Sequence, residues 1–271
     1  MTKSVKPGEI RVGIGGWTYE PWRKTFYPPD VPKARELEYA SRQVTAIEVN
    51  GTFYRSQKPE TFAKWRDATP DEFVFAIKGP RYATIRGTLG EAGPAIERFV
   101  ASGLSELGPK LGPLLWQFAP TKRYDPEDVE AFLKLLPAKI GGRAARHVLE
   151  LRHSSFLDPG FIALARCYGC AIVFTDSTEY PAFGDLTAPF VYARLMRSES
   201  SIETGYSAPL LAAWAKIART FARGAEPAEF PRLAGPVAKS GPRDVFVFFI
   251  NGAKERAPAA ARALLSQLAK S

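Results

Sequence analysis

In the stretch VLELRHSSF, residues 148–156, a glutamate and an arginine stand two positions apart at the end of an apolar run. Residues two apart in an extended chain share one face. Glu150 and Arg152 therefore project together, and a buried charge is costly unless it is paired. The pattern recurs along the chain. Glu48 and Asn50 close TAIEVN, Lys78 closes FVFAIK and Gln117 stands near the end of PLLWQF. Asp176 ends CAIVFTD, Arg194 falls near the end of FVYARL and Asn251 follows DVFVFFI. Glu48, Glu150 and Asp176 can serve as general acids and bases, or as ligands of a hard divalent cation. Lys78, Arg152 and Arg194 supply positive charge, and arginine matches carboxylate or phosphate with a two-point contact. His153 follows Arg152 on the opposite face, unless the strand has already ended there. It is either a proton carrier or a structural hydrogen-bonding group.

Any one of these residues alone reads as a satisfied core polar group. Seven apolar runs that finish this way read as one site. The candidate catalytic residues are Glu48, Lys78, Glu150, His153 and Asp176. The candidate substrate-binding residues are Trp17, Asn50, Tyr54, Gln117, Arg152, Arg194 and Asn251. Trp17, Tyr19 and Trp22 follow the first run, and Phe53 and Tyr54 follow the second. Such rings either floor a pocket for a sugar or base, or cap the end of the fold. Trp65 and Trp116 read as packing residues. With only His147 and His153 present, a His-rich metal site is excluded. A variant using Mg²⁺ or Mn²⁺ would need Glu48, Glu150, Asp176 and His153 close together; no metal ligands and no cofactor are assigned. Cys167 and Cys170 have redox-pair spacing but lack a second pair for zinc, and they read as two unremarkable buried thiols.

The elements that must position these residues are eight short runs rich in β-branched and aromatic residues, at 11–16, 45–50, 73–78, 113–118, 146–151, 170–176, 190–195 and 244–250. Helical patterns lie between most of them. PETFAKWRDA opens on Pro59, and DPEDVEAFLKLL and DPGFIALARCYG open on Asp125 and Asp158 as N-caps followed by proline. SAPLLAAWAKIARTFA begins at Ser207 and APAAARALLSQLAK closes the chain. No helix is evident between 176 and 189. Alternating strands and helices imply parallel strands with crossover helices, and eight of them predict a (β/α)₈ TIM-like barrel in a single domain, 1–271. In this fold the C-terminal strand ends carry the chemistry. An open doubly wound sheet would need a Gly-rich nucleotide turn, and GIGGWTY lacks its spacing. The Pro- and Gly-rich segment 223–243 reads as a long surface loop.

Composition sets the outer bounds. Among 271 residues, 45% are hydrophobic and 24% charged, as expected of a globular protein rather than a disordered one. The net charge of +9 is spread along the chain without a basic block, so a nucleic-acid partner is the weaker reading. No apolar stretch is long enough to span a bilayer and the first residues lack the apolar core of a signal peptide, which predicts a cytoplasmic protein with no membrane partner. No oligomeric state is assigned.

GIGGWTYEPWRKTFYP, IEVNGTFYRSQKPETFAKWRDATPDEFVFAIK, LGPLLWQFAP, LELRHSSF, VYARL and VFFINGAKERAPAAARALL occur in this order. Together they resemble the barrel family labelled domain of unknown function 72, also called YecE-like, from about residue 11 to about residue 268. The resemblance implies a TIM-like barrel and carries family positions onto Glu48, Asn50, Tyr54, Lys78, Gln117, Glu150, Arg152, His153, Arg194 and Asn251. It supplies no reaction. The sequence also departs from the family. TIRG, with Arg86, stands where a Thr-His pair is usual, and Met196 and Arg197 replace a His-Gly pair. Ile250 replaces an asparagine and Phe156 a tryptophan. These departures imply a divergent member with altered or reduced activity.

Three readings of function follow. The first is an enzyme for a small anionic or polyhydroxylated substrate of the sugar-phosphate kind, with isomerase, lyase or hydrolase chemistry open. It requires an enclosed pocket and a carboxylate of raised pKa. The second is a non-catalytic binding protein for a nucleotide or nucleic acid on a barrel scaffold. The third is a barrel whose polar end only stabilises the fold.

Overall fold

A computed structural model describes residues 6–85, 87–237 and 241–270. Among these residues, eight parallel strands close into a barrel in sequence order: β1 (Ile10–Gly15), β2 (Ala46–Val49), β3 (Val74–Lys78), β4 (Leu111–Gln117), β5 (His147–Glu150), β6 (Ala171–Thr175), β7 (Phe190–Leu195) and β8 (Asp244–Phe249). Closure runs from Ile10 opposite Val245 to Ile14 opposite Phe249. Around the barrel lie α1 (Glu36–Ala40), α2 (Pro59–Asp67), α3 (Arg81–Thr84), α4 (Gly93–Val100), α5 (Pro126–Leu135), α6 (Pro159–Cys167), α7 (Ala208–Ala222) and α8 (Ala257–Leu268). The predicted (β/α)₈ class is therefore the observed one. No helix among the described residues is long and apolar enough to cross a membrane.

Local chemistry starts the helices where the sequence places them. The Asp125 carboxylate accepts the N–H groups of Glu127 and Asp128, and the Asp158 carboxylate those of Gly160 and Phe161. Each proline that follows gives up no hydrogen bond, because first-turn N–H groups have no intrahelical partner. Helices α1, α3 and α4 are not among the helical patterns expected from sequence. Of these, α1 and α3 are about one turn each, which leaves no period to detect, whereas α4 has eight residues with Ala95, Ile96 and Phe99 buried. The hairpin Lys139–Ile140 with Arg143–Ala144 is likewise too short to show a period.

Two apolar layers hold the barrel. The outer shell, between strands and helices, contains Val12, Ile47, Phe75 and Trp116. The inner layer contains Val74, Leu115, Val148, Val173, Tyr192, Phe246 and Phe248. Strand β1 contributes no inward side chain at Gly13. A Cβ there would lie 2.2 Å from the Ala46 carbonyl oxygen and 2.9 Å from the Phe248 ring.

As expected, the 176–189 connection holds no helix. The outer face of β6 is covered instead by the end of α7 and the segment that follows it. Phe174 packs against Phe221 and against Phe230, at 4.7 and 5.4 Å between ring centroids. Buried Asp185 accepts the N–H groups of Leu233 and Ala234, fixing the segment in place. Residues 223–237 and 241–243 have neither helix nor strand, yet through Phe230 this segment shares with α7 the covering that a crossover helix does elsewhere. Residues 238–240 of the predicted loop, and Arg86, lie outside the described residues.

Both cysteines are free thiols, but only Cys170 is buried as expected; Cys167, the last residue of α6, is exposed. Burial pushes the Cys170 thiol up to about 12, far from the range of a reactive thiolate.

Candidate functional site

The barrel interior turns polar one layer below its C-terminal end. Glu48 on β2, Glu150 on β5 and Arg194 on β7 are 0, 2 and 2% exposed. They share an inward face with the apolar residues two positions earlier, as the period of a strand requires. Arg194 lies between the two carboxylates. Its Nε and Nη2 donate to Glu48 Oε2 and Oε1 at 3.0 and 2.9 Å. Its Nη1 meets Glu150 Oε2 at 2.6 Å. The Tyr192 hydroxyl donates to Glu48 Oε2 at 2.7 Å, and Asn50 Nδ2 donates to Glu48 Oε1 at 2.9 Å. Arg152 donates from Nε and Nη2 to Glu150 Oε1 at 3.3 and 3.0 Å.

One shell nearer the mouth, Gln117 Oε1 accepts Lys78 Nζ at 2.6 Å and Arg152 Nη2 at 2.9 Å. The shared acceptor sets ammonium and guanidinium side by side. Lys78 Nζ also lies 4.2 Å from the centre of the Phe53 ring, and the Arg152 guanidinium 4.5 Å from that of Tyr180. Above this layer opens a cavity of about 400 Å³, lined by Asn50, Tyr54, Lys78, Gln117, Arg152, Arg194, Asn251 and Lys254 among others. A smaller hollow of about 270 Å³ shares Asn251 as a wall with it and is lined by Tyr180 and Arg197. Asn251 has φ +63°, the one non-glycine residue of positive φ among the described residues. Asparagine tolerates this conformation better than most residues. It turns the chain out of β8, and Ser198 Oγ donates to its carbonyl oxygen at 3.2 Å.

The electrostatics follow from this pairing. Burial alone would raise the Glu150 carboxyl, but Arg194, Arg152 and Lys78 together hold it below the usual carboxylate range. Burial opposes the charge on Arg194, and Glu150 and Glu48 outweigh it and raise its pKa further. For Lys78 the balance falls the other way. Burial and the Arg194 charge outweigh Glu150 and Glu48, and bring the amine down to about 8.

Of the residues predicted from sequence, Asn50, Tyr54, Lys78, Gln117, Arg152, Arg194 and Asn251 line one cavity. Glu48 and Glu150 lie beneath it as the partners of its arginines. Three others sit elsewhere. The Asp176 carboxylate accepts Met196 N–H at 2.6 Å and the Tyr206 hydroxyl at 2.7 Å, tying down the loop after β7. Its pKa is raised by burial, against these bonds, but the raised carboxyl that the enzyme reading asked for does not face the cavity. His153 Nδ1 pairs with Ser155 Oγ at 2.8 Å and accepts Ser155 N–H at 3.1 Å, capping the turn Ser154–Phe156. Trp17 packs edge-on against Trp65 and Phe75, at 5.1 and 6.4 Å, in the outer aromatic layer. Glu48, Glu150, Asp176 and His153 therefore do not form a ligand set. No group of three or more His, Cys, Asp or Glu able to hold a metal occurs among the described residues.

The strand-end reading missed Tyr192, Tyr180 and Lys254. Tyr192 was open to the same logic, because it precedes Arg194 by two residues and shares its face. Tyr180 and Lys254 stand in connections, where no strand period applies.

Parallel strands closed on themselves, with polar side chains gathered at one end, define a (β/α)₈ barrel protein. Within that class the chain belongs to the family described as "Protein of unknown function DUF72", whose model matches residues 11–271. Over 154 residues it is 27% identical to the UPF0759 protein YecE of Escherichia coli (strain K12), a match covering 56% of this chain and 51% of that protein. The chain thus spans about half the length of that curated relative. Its fold is similar to that of a DUF72 family protein from Thermotoga maritima MSB8, with TM-score 0.73, 19% identity, and 97 and 100% of the two chains covered. A DUF72 family protein from Enterococcus faecalis V583 is similar at TM-score 0.67 and 19% identity, with 98 and 100% covered.

Proposed function

We propose that the protein is an enzyme that takes a small anionic, polyhydroxylated substrate of the sugar-phosphate kind into the cavity at the C-terminal end of its barrel. The observation that carries this reading is the distribution of charge. Both buried carboxylates are engaged by Arg194 and Arg152, while Lys78, Arg152 and Lys254 face the cavity. Among the described residues Arg152 Nη1 has no hydrogen-bond partner, and Lys254 Nζ meets the Tyr19 and Trp22 rings, at 4.4 and 5.9 Å, and no carboxylate. An anion entering here meets unspent donors in a partly desolvated space, where charge–charge attraction is stronger than in water.

The amides of Asn50, Gln117 and Asn251 offer donors and acceptors suited to hydroxyl groups, and Tyr54, 69% exposed, offers a ring at the mouth. Proton transfer falls to Lys78. The carboxylates beneath are committed to arginine, and a group acts best as acid or base when its pKa lies near the working pH. This arrangement serves isomerase, lyase or hydrolase chemistry alike.

The test is thermal unfolding against a panel of sugar phosphates, inorganic phosphate and neutral sugars. Phosphorylated compounds should raise Tm and neutral sugars should not. Arg152→Ala and Lys254→Ala should each reduce the rise. A panel in which no anion stabilises the parent protein sinks the reading.

A further inference from the structure

Resting on the reading of the cavity as an anion site, we infer that Lys78 is a nucleophile whose Nζ condenses with the aldehyde or ketone carbon of an anionic substrate to form an imine. The structure holds a second buried lysine for comparison. Lys110, 6% exposed, donates to the carbonyl oxygens of Arg66 and Thr69 at 2.6 and 2.7 Å and approaches Thr69 Oγ1 at 3.3 Å. All three of its N–H groups have an acceptor, which is how a structural lysine is satisfied. Lys78, 7% exposed, has one hydrogen bond, to the neutral Gln117 oxygen, and no carboxylate within ion-pairing distance among the described residues. Its remaining N–H groups are left for the cavity that it lines.

Burial and the positive charges of Arg194 and Arg152 favour the neutral amine, against the attraction of Glu150, Glu48 and the Phe53 ring for the ammonium. The Arg152 guanidinium also shares the Gln117 oxygen that Lys78 uses. A lysine desolvated or set beside another cation is thereby activated as a nucleophile. The lowered pKa of about 8 agrees with this placement.

The step balances without a further reactant. The Nζ lone pair attacks the carbonyl carbon and the C=O π pair passes to oxygen. Both amine hydrogens leave with that oxygen as water, and a C=N bond remains. Once protonated, this imine accepts the electron pair of an adjacent C–H or C–C bond. That directs the proposed function towards isomerase or lyase chemistry.

Pyridoxal 5′-phosphate, an aldehyde bearing a phosphate, is a suitable probe. The intact protein is incubated with it at pH 7.5, reduced with borohydride, and the labelled lysines are mapped by mass spectrometry. Lys78 should label about tenfold faster than Lys216, whose side chain is 77% exposed. Excess inorganic phosphate should suppress the Lys78 adduct. Pyridoxal, which lacks the phosphate, should give much less of it. Lys78→Arg and Lys78→Met should lose this adduct while labelling at other lysines is unchanged. Labelling of Lys78 no faster than Lys216, or equal labelling by pyridoxal, overturns the inference. Stabilisation by phosphate without an adduct overturns the imine and leaves the anion site standing; absence of both overturns the two together.

Discussion

Lys78→Met should make the protein more stable at neutral pH, by an amount that fades as pH rises. Lys78 is 7% exposed, and its amine is brought from the usual 10.5 to about 8. Its folded pKa thus lies below its unfolded one, so between pH 8 and 10.5 the unfolded chain binds more protons and stability rises with pH. Below pH 8 the full cost of keeping the ammonium buried is present, about 3 kcal/mol for a shift of this size. Methionine fills similar space without charge. Its gain is reduced by the lost hydrogen bond to Gln117, about 1 kcal/mol, which leaves a net gain of about 2 kcal/mol at pH 7. At pH 9.5 the cost in the parent has fallen by about 2 kcal/mol, and the two proteins should have nearly equal stability. Urea unfolding of both proteins at the two pH values gives the difference directly. The lost hydrogen bond cancels in that difference, and so do the other groups that titrate. An advantage of Met that is the same at both pH values, or a variant less stable than the parent at pH 7, refutes the account of Lys78.

Arg194→Met leaves Glu48 and Glu150 buried with most of their compensation gone, and should cost about 3–5 kcal/mol in urea unfolding at pH 7. His147 is buried as the neutral ring, with Nδ1 accepting Trp116 Nε1–H at 3.1 Å and Nε2–H donating to the Pro137 oxygen at 2.8 Å. Burial, opposed by the Pro137 bond, holds its pKa below the usual 6.5, so the unfolded state takes up the proton first and stability falls as pH drops below about 6.5. His147→Gln should flatten that slope in Tm measured between pH 7 and pH 5; an unchanged slope would contradict the neutral assignment.

Much of the site was legible because strand geometry couples sequence spacing to direction. Glu150 and Arg152, or Tyr192 and Arg194, must share a face, and parallel strands that close on themselves must bring equivalent ends together. The same rule failed at Asp176 for a physical reason. The inward positions of β6 are Ala171, Val173 and Thr175, so Asp176 has the opposite parity, and it meets Tyr206 instead of the cavity. Both faces of β6 are apolar, and no sequence pattern marks which one is inside. Trp17 follows Gly16, whose φ of +78° redirects the chain just after β1 and sends the indole into the outer layer. Lys254 reaches the cavity from a turn after Asn251 and Gly252, where nothing repeats with a period that could reveal it.

Pairing was beyond the sequence altogether, and it changes the chemistry. From residue types alone, Glu48 and Glu150 are the natural proton carriers and Arg194 a natural anion ligand. Arg194 instead spans the barrel interior between two carboxylates that arrive from separate strands, and together with Arg152 on Glu150 the two cations offset the two anions. Such a buried ionic group seldom adds net stability compared with apolar residues of the same size. Its effect in this barrel is positional. With Glu150 fixed by Arg194, Arg152 is held at Glu150 Oε1 and Gln117, and Gln117 in turn holds Lys78 at the cavity floor. The acids thus become the footing of the candidate site, and Lys78 faces the cavity above them without a carboxylate partner among the described residues.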